Sequence, residues 1–420
     1  MRRPGQAGHL AFGSAHPTKR MPDVLIAGGG IAGSALAIQL GRRGVCVELF
    51  ERGRFPKEKP CGEGLMPAGV AALGRLGLAS RITGAPFHGV RYHFGGEAAE
   101  GRFPKIAGLP LAGRGHRRRD LDRALFDEAA QTPNVTAHTG ARVERPLVED
   151  GRVTGIVVEG EARRAALVVG ADGSQSRLRH ALGLNAASRR KRLGARAHFR
   201  LAPGVPQREW VDVFLGDGYE MYVTPLPGQE LLVAALAEAD AADGRIEDAY
   251  RRWCLEQPKL AARLEGAEQV SDLLTYAPLS CRARRGWFPG LVLLGDSAGS
   301  TDPITGGGMS QALLAAELLT SYVADAGAGN SAWLAAFDRE RNAMLRDYRR
   351  LTSIMLWLAL HPRLARRALN ALRLWPAFFS HLLGVSGGVR RLWGGEQHCH
   401  AYIPSLRSSP CAGPLEQKGD

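Results

Sequence analysis

Asp23-Val24-Leu25-Ile26-Ala27-Gly28-Gly29-Gly30-Ile31-Ala32-Gly33 is a short apolar run that breaks into glycines, and it is followed by an Ala/Leu/Ile-rich segment to about Arg43 and a second apolar run from Val45 to Phe50. The pattern is a β-α-β unit. Gly28, Gly30 and Gly33 fill a Gly-x-Gly-x-x-Gly template at the turn, and Glu51 closes the second strand 21 positions after Gly30. The first glycine permits the tight turn, the second lets backbone approach a pyrophosphate, and the third lets the helix pack on the strand. The helix N-terminus then faces the phosphates, and the carboxylate accepts from ribose hydroxyls. A dinucleotide site at the start of an α/β domain is the expectation.

The rest of the composition narrows the class. A chain of 420 residues with 45% hydrophobic and 23% charged letters buries a sizeable core and is neither disordered nor fibrous. Its net charge of +14 is concentrated: Arg2, Arg3, Lys19 and Arg20 near the start, and Arg363, Arg366, Arg367, Arg373, Arg390 and Arg391 between 351 and 395, carry ten charges in stretches without acids. The body is close to balanced and no nucleic-acid module is evident, so nucleic acid is not the expected partner. Six cysteines (Cys46, Cys61, Cys254, Cys281, Cys399, Cys411) lie scattered without a CxxC pair, which fits reduced thiols in the cytoplasm and no metal site. Residues 1–20 lack the apolar stretch of a secretory signal and read as a disordered leader.

A nucleotide fold alone does not separate NAD from FAD. Val168-Val169-Gly170-Ala171-Asp172-Gly173-Ser174-Gln175-Ser176-Arg177 follows one strand, and Leu291-Val292-Leu293-Leu294-Gly295-Asp296-Ser297-Ala298-Gly299 ends another in Gly-Asp. With the glycine turn, these three motifs in this order resemble the FAD-dependent monooxygenase superfamily of the p-hydroxybenzoate hydroxylase type, over roughly residues 21–320. The resemblance implies a tightly bound FAD. It places Asp296 on a ribityl hydroxyl, Asp172 near the pyrophosphate, and Pro303 and Gly306-Gly307-Gly308 beside the flavin ring, where amides entering a helix stabilise negative charge. It also assigns Ile31, Ala32, Arg52, Val143, Gly173, Gly295 and Met309 to the cofactor's surroundings. Arg118, in Arg117-Arg118-Arg119-Asp120-Leu121-Asp122, reads either as the family arginine near the ribityl and phosphate or as a solvated helix start. With one dinucleotide fingerprint, NAD(P)H as reductant binds transiently without a Rossmann domain of its own.

Phe55-Pro56-Lys57-Glu58-Lys59-Pro60-Cys61-Gly62-Glu63-Gly64-Leu65-Met66-Pro67 is too rich in Gly and Pro for regular structure and reads as a loop aimed at the flavin. Its Pro-Cys-Gly-x-Gly resembles the loop of the geranylgeranyl reductase and FixC-like branch. Cys61 is either a redox or proton-donor group or a small residue packed by the ring. Between 191 and 240 polar and apolar letters alternate as in antiparallel strands. Arg196, His198 and Arg200 share one face, read as solvated, and Glu220, Tyr222 and Thr224 share another, with Tyr222 the candidate pocket residue. Geranylgeranyl reductases carry Tyr-x-Trp-x-Phe-Pro here and tryptophan halogenases Trp-x-Trp-x-Ile-Pro. This chain has Glu220-x-Tyr222-x-Thr224-Pro225 instead.

After His361-Pro362, Leu364, Ala365, Ala368, Leu369, Leu372 and Trp375 fall on one helical face and Arg363, Arg366, Arg367, Asn370 and Arg373 on the other. Such a helix fits the interface of an anionic membrane, at the inner face for a cytoplasmic chain. It equally fits packing on the FAD domain with its arginines in water. The architecture expected is α/β. A Rossmann-type FAD domain (21–190 and 275–330, its core assembled from about 21–85, 107–190 and 275–330) is interrupted by an antiparallel substrate sheet (191–274). C-terminal helices (331–395) and a disordered tail (396–420) holding His398-Cys399-His400 follow. The first functional expectation is an NAD(P)H-dependent monooxygenase hydroxylating or epoxidising a hydrophobic aromatic, polyketide or lipid-like molecule. The alternatives are a flavoprotein reducing prenyl-lipid double bonds and an electron carrier without an enclosed pocket.

Overall fold

The computed structural model describes residues 21–187 and 192–394. The leader 1–20 and the tail with His398, Cys399 and His400 lie outside the described residues. The opening unit forms as the glycine pattern requires: β1 (Val24–Ala27), α1 (Ile31–Gly41) and β2 (Val47–Glu51), so Glu51 belongs to the strand itself. β1 lies between β2 and Leu167–Gly170, parallel to both, in a six-stranded sheet that continues through Leu291–Leu293 on one side and Val135–Thr139 on the other. Both faces of β1 are covered, as expected for a continuous apolar strand in a parallel sheet. Val24 and Ile26 face helices α1, Arg118–Gln131 and Gly308–Ala326. Leu25 and Ala27 face Val153, Ile156 and Val158 of a small antiparallel sheet.

Over this floor stands a larger sheet built on Arg192–Arg200, Val211–Leu215, Tyr219–Leu226 and Glu230–Glu238. It also recruits Gly89–Phe94 and Glu97–Arg102, the former in parallel with Val211–Leu215, from the stretch left out of the expected nucleotide core. Its outer face buries Ala197, Met221, Val223, Val233 and Ala235 against Tyr250, Trp253 and Leu260 of helices Ile246–Glu256 and Pro258–Leu264. Its inner face, with Tyr222, Ala234 and Leu236, looks back at the floor. Helices Arg346–Ala359, Pro362–Leu374 and Pro376–Ser386 close the side, with Leu369, Phe379 and Leu383 packed on Phe87, Val90, Phe94 and Phe103. No helix among the described residues is long and apolar enough to cross a membrane.

Candidate active site

One cavity of about 1000 Å³ lies between floor, roof and C-terminal helices. At its floor the glycines act sterically. Gly28 has φ +109, and a Cβ there would stand 2.3 Å from the carbonyl oxygen of Ala171; a Cβ at Gly33 would stand 1.9 Å from the carbonyl oxygen of Gly28. These contacts hold strand, turn and helix at their closest approach. A Cβ at Gly30 meets nothing within 4 Å, because Gly30 opens onto the cavity. Ile31 and Ala32 begin α1 there, with no side chain capping the helix, so its first N–H groups are available to an anion. Glu51 lies at the cavity edge beside Arg52. Its carboxylate accepts from the N–H groups of Gly29 (3.0 Å) and Gly53 (2.7 Å) and pairs with Lys57 at 2.6 Å.

The other expected cofactor residues converge on the same space. Val143, Gly173, Gly295, Asp296, Pro303, Gly306 and Gly308 all line it. Asp172 lines it too, accepting at Oδ2 from the N–H of Arg177 (2.9 Å) while its buried Oδ1 has no partner. Burial raises the Asp172 pKa above the usual carboxylate value against the opposing hydrogen bonds of Ser176 and backbone N–H groups. Asp296 is half exposed to the cavity and reaches Lys59 at 3.8 Å. Gly306 adopts the left-handed conformation after a short turn at Pro303–Thr305. Gly307 packs on Tyr348, and helix Gly308–Ala326, with Met309 in its first turn, starts uncapped at the cavity. Two uncapped helix starts, an orphaned carboxylate oxygen and a glycine whose missing Cβ faces open space fit the pyrophosphate, hydroxyls and ring of an FAD.

Arg118 is buried, forked onto Asp122 (3.1 and 2.9 Å), so the solvated-start reading is corrected. Burial alone would lower its pKa, but Asp122 and the sulfur of Cys61 beside it outweigh that and raise it. Cys61 lines the cavity, its sulfur accepting from the N–H of Glu63 at 3.4 Å. Tyr222 lines the roof and donates to the carbonyl oxygen of Ile304 at 3.1 Å, and burial, then neighbouring Glu220, pushes its phenol well above the ordinary value.

The solvated face expected for Arg196 and His198 is overturned. Both are buried, and only Arg200 at the strand end is exposed. They turn inward because the loop around Cys61 supplies partners. His198 Nε2 meets Glu63 at 2.8 Å with both side chains fully inaccessible, and Arg196 pairs with Glu58 and donates to the carbonyl oxygen of Lys59 at 3.1 Å. Thr224 donates to Gly62 at 2.9 Å, and Glu63 also accepts the backbone N–H of Arg118 at 2.9 Å. Roof and floor are thus clamped through the Cys61 loop. Sequence reading missed Glu63 as an anchor. Its signal is a carboxylate inside Cys-Gly-Glu-Gly, and in the fold it takes φ +57, a conformation non-glycine residues rarely adopt. No cluster of potential metal ligands occurs among the described residues.

A family model described as "FAD binding domain" matches residues 21–352. The chain is 29% identical over 329 residues to a menaquinone reductase of Mycolicibacterium smegmatis, covering 71% of this chain and 76% of that one. It is also 29% identical over 310 residues to a 6-methylpretetramide 4-monooxygenase of Streptomyces rimosus, covering 69% and 72%. The structure of a flavin-dependent brominase superposes with a TM-score of 0.77 at 18% identity, over 92% of this chain and 98% of that one, and shows the common fold. The chain therefore belongs to this FAD-binding family of monooxygenases and reductases, and it is an FAD-dependent oxidoreductase.

Proposed function

We propose that the chain is an NAD(P)H-dependent monooxygenase that hydroxylates or epoxidises a lipid-like substrate taken up at an anionic membrane surface. The observation that carries this is the continuity of the cavity. From Gly30 and Asp296 it runs beneath Val213, Leu215, Ala234 and Leu236 and out between the C-terminal helices, where Ile354, Trp375, Phe378 and Trp393 both line it and stand exposed. Eight of the twelve exposed large hydrophobic side chains among the described residues fall between 354 and 393. A patch of this kind marks an interaction surface, and exposed Arg363, Arg367 and Arg391 around it suit acidic headgroups. The amphipathic helix Pro362–Leu374 brings Ala365, Ala368, Leu369 and Leu372 to the cavity wall, where Leu369 and Leu372 also pack on Phe87, Val90 and Phe94.

Bound FAD supplies the electron transfer and oxygen chemistry, and the chain's own groups hold it and keep the reaction space dry. The N–H groups at the starts of α1 and of Gly308–Ala326 would take phosphate and ring charge, Asp296 would accept from a ribityl hydroxyl, and Asp172 would stand near the pyrophosphate. The apolar roof excludes water and aligns the substrate. NAD(P)H is the reductant in this reading, and because the single dinucleotide fingerprint serves FAD, it binds transiently without a Rossmann domain of its own. An electron carrier without its own substrate has no use for an enclosed apolar channel.

One observation favours reduction of a prenyl double bond as a second reading. Cys61 places a thiol on the cavity wall beside the Arg118 guanidinium, where it would give a proton to one carbon of the double bond while the other would take the hydride that a bound, reduced flavin supplies, and a relative acts on menaquinone. Turnover of prenyl lipids by the FAD-loaded protein with NADH or NADPH under ¹⁸O₂ separates the two. Product carrying the label, with oxygen consumed one for one, is expected. An unlabelled product with a saturated double bond, formed equally under nitrogen, would replace the first reading with the second.

A further inference from the structure

On its cavity side the apolar roof carries a polar cluster that neither cofactor binding nor the clamp uses. Glu220 lines the cavity between Tyr222 and Leu236 and is 6% exposed. Its Oε2 accepts from Nη2 of Arg192 at 3.0 Å. The same guanidinium donates from Nη1 to Asp302 at 2.7 Å and faces Glu238 from Nε at 3.1 Å. Three carboxylates, from strand Tyr219–Leu226, strand Glu230–Glu238 and the loop before Pro303, thus share one cation. The remaining titratable neighbours, Tyr222 on the same strand and Tyr92 on Gly89–Phe94, are neutral phenols.

With every carboxylate ionised, a nearly inaccessible site would carry two uncompensated negative charges, which burial penalises heavily. One proton relieves it. Asp302 has the short Arg192 bond and an N–H from Ile304 at 3.1 Å, and Glu238 retains contact with water. Glu220 has the one Arg192 bond and apolar surroundings, so it is the carboxyl that keeps the proton. Burial, with Asp302 and Glu238 adding to it against the opposing pull of Arg192, places its pKa at about 7.

We propose that Glu220 is the polar reader of the channel, a neutral carboxyl that donates a hydrogen bond to a carbonyl, quinone or hydroxyl oxygen on the ring end of an otherwise apolar substrate. This rests on the lipid-like substrate class above and adds to it a neutral oxygenated head that reaches the roof beside the cofactor loop at Pro303–Thr305. A long hydrocarbon without such a head fills the channel but leaves the carboxyl unpaired. An anionic head is repelled because Asp302 and Glu238 together outweigh the single charge of Arg192.

The test uses the FAD-loaded full chain, wild type and Glu220→Gln, and reads ligand binding by perturbation of flavin absorbance. A naphthoquinone with a short prenyl chain and an isoprenoid hydrocarbon of matched length are the two probes. The carboxyl donates below its pKa and loses the proton above it. The wild-type Kd for the quinone should therefore be flat below about pH 7 and weaken ~10-fold per pH unit above it. Glu220→Gln, which keeps an N–H donor and a partner for Arg192, should bind the quinone with no pH dependence, and the hydrocarbon should show none in either protein. A wild-type quinone profile that stays flat, or a Glu220→Gln profile that matches a sloping wild type, overturns the role of Glu220 while leaving the substrate class intact. Failure of both probes to perturb the flavin overturns the substrate class and the proposal with it.

Discussion

At the cofactor end of the cavity Gly28 sits at φ +109 with its missing Cβ 2.3 Å from a carbonyl oxygen, whereas at the far end Trp375 and Trp393 are 65% and 79% exposed. The first end is built from backbone. Strand, turn and helix approach so closely that side chains are excluded, and the available N–H groups of helix starts supply the binding chemistry. The second end is built from side chains, apolar ones on and beside the C-terminal helices with arginines around them. A site of the first kind tolerates almost no substitution and accepts one ligand. A site of the second kind tolerates many and selects a class of surface, so one chain fixes its cofactor tightly while leaving its substrate to a gradual apolar fit.

The contrast is sharpest at two neighbouring glycines. Gly28→Ala forces a methyl against the Ala171 carbonyl in a left-handed backbone, and should cost more than about 4 kcal/mol and leave little folded protein by circular dichroism. Gly30→Glu places its side chain in open cavity, so Tm without cofactor should stay near wild type while the purified protein is colourless. Yellow Gly30→Glu protein would break the assignment of this end to FAD. Next in size is the clamp between the ends. Glu63→Ala strips His198 and the Arg118 N–H of their shared acceptor in a fully inaccessible site, a loss of about 3–5 kcal/mol by denaturant unfolding. A loss below about 1 kcal/mol would mean that roof and floor hold together without it.

Legibility follows the same division. The glycine turn, Glu51, Asp172, Asp296 and the Gly306–Gly308 loop were readable because local backbone demands leave their mark within a few residues, and the structure brings all of them to one cavity. Arg196 and His198 were misread because alternation says which residues share a face and not what covers it. Their covers, Glu58 and Glu63, come from 138 and 135 positions away. The same limit hid Arg192, Asp302 and Glu220, a cluster whose sign and proton count exist only once three separate segments meet. The C-terminal helix showed its two faces in sequence, but that its apolar face would border a channel depended on the roof strands Gly89–Phe94 and Glu97–Arg102 reaching across to it.

The smallest of the expected effects tests the far end directly. Each arginine near an anionic bilayer contributes roughly 1 kcal/mol, so replacing Arg363, Arg367 and Arg391 together by glutamine should weaken partitioning by ~100-fold on vesicles rich in phosphatidylserine. On neutral vesicles the same variant should differ little from wild type, because only the apolar contribution of Trp357, Trp375, Phe378 and Trp393 remains. Among the described residues these three arginines form no ion pair, unlike Arg373, which pairs with Glu97 at 3.4 Å and is left in place. Flavin content and Tm should therefore be unchanged, which separates lost docking from lost folding. Sedimentation of the triple variant with anionic vesicles at the wild-type level would show that the apolar mouth meets something other than a charged bilayer, and would leave the cavity's cofactor end untouched.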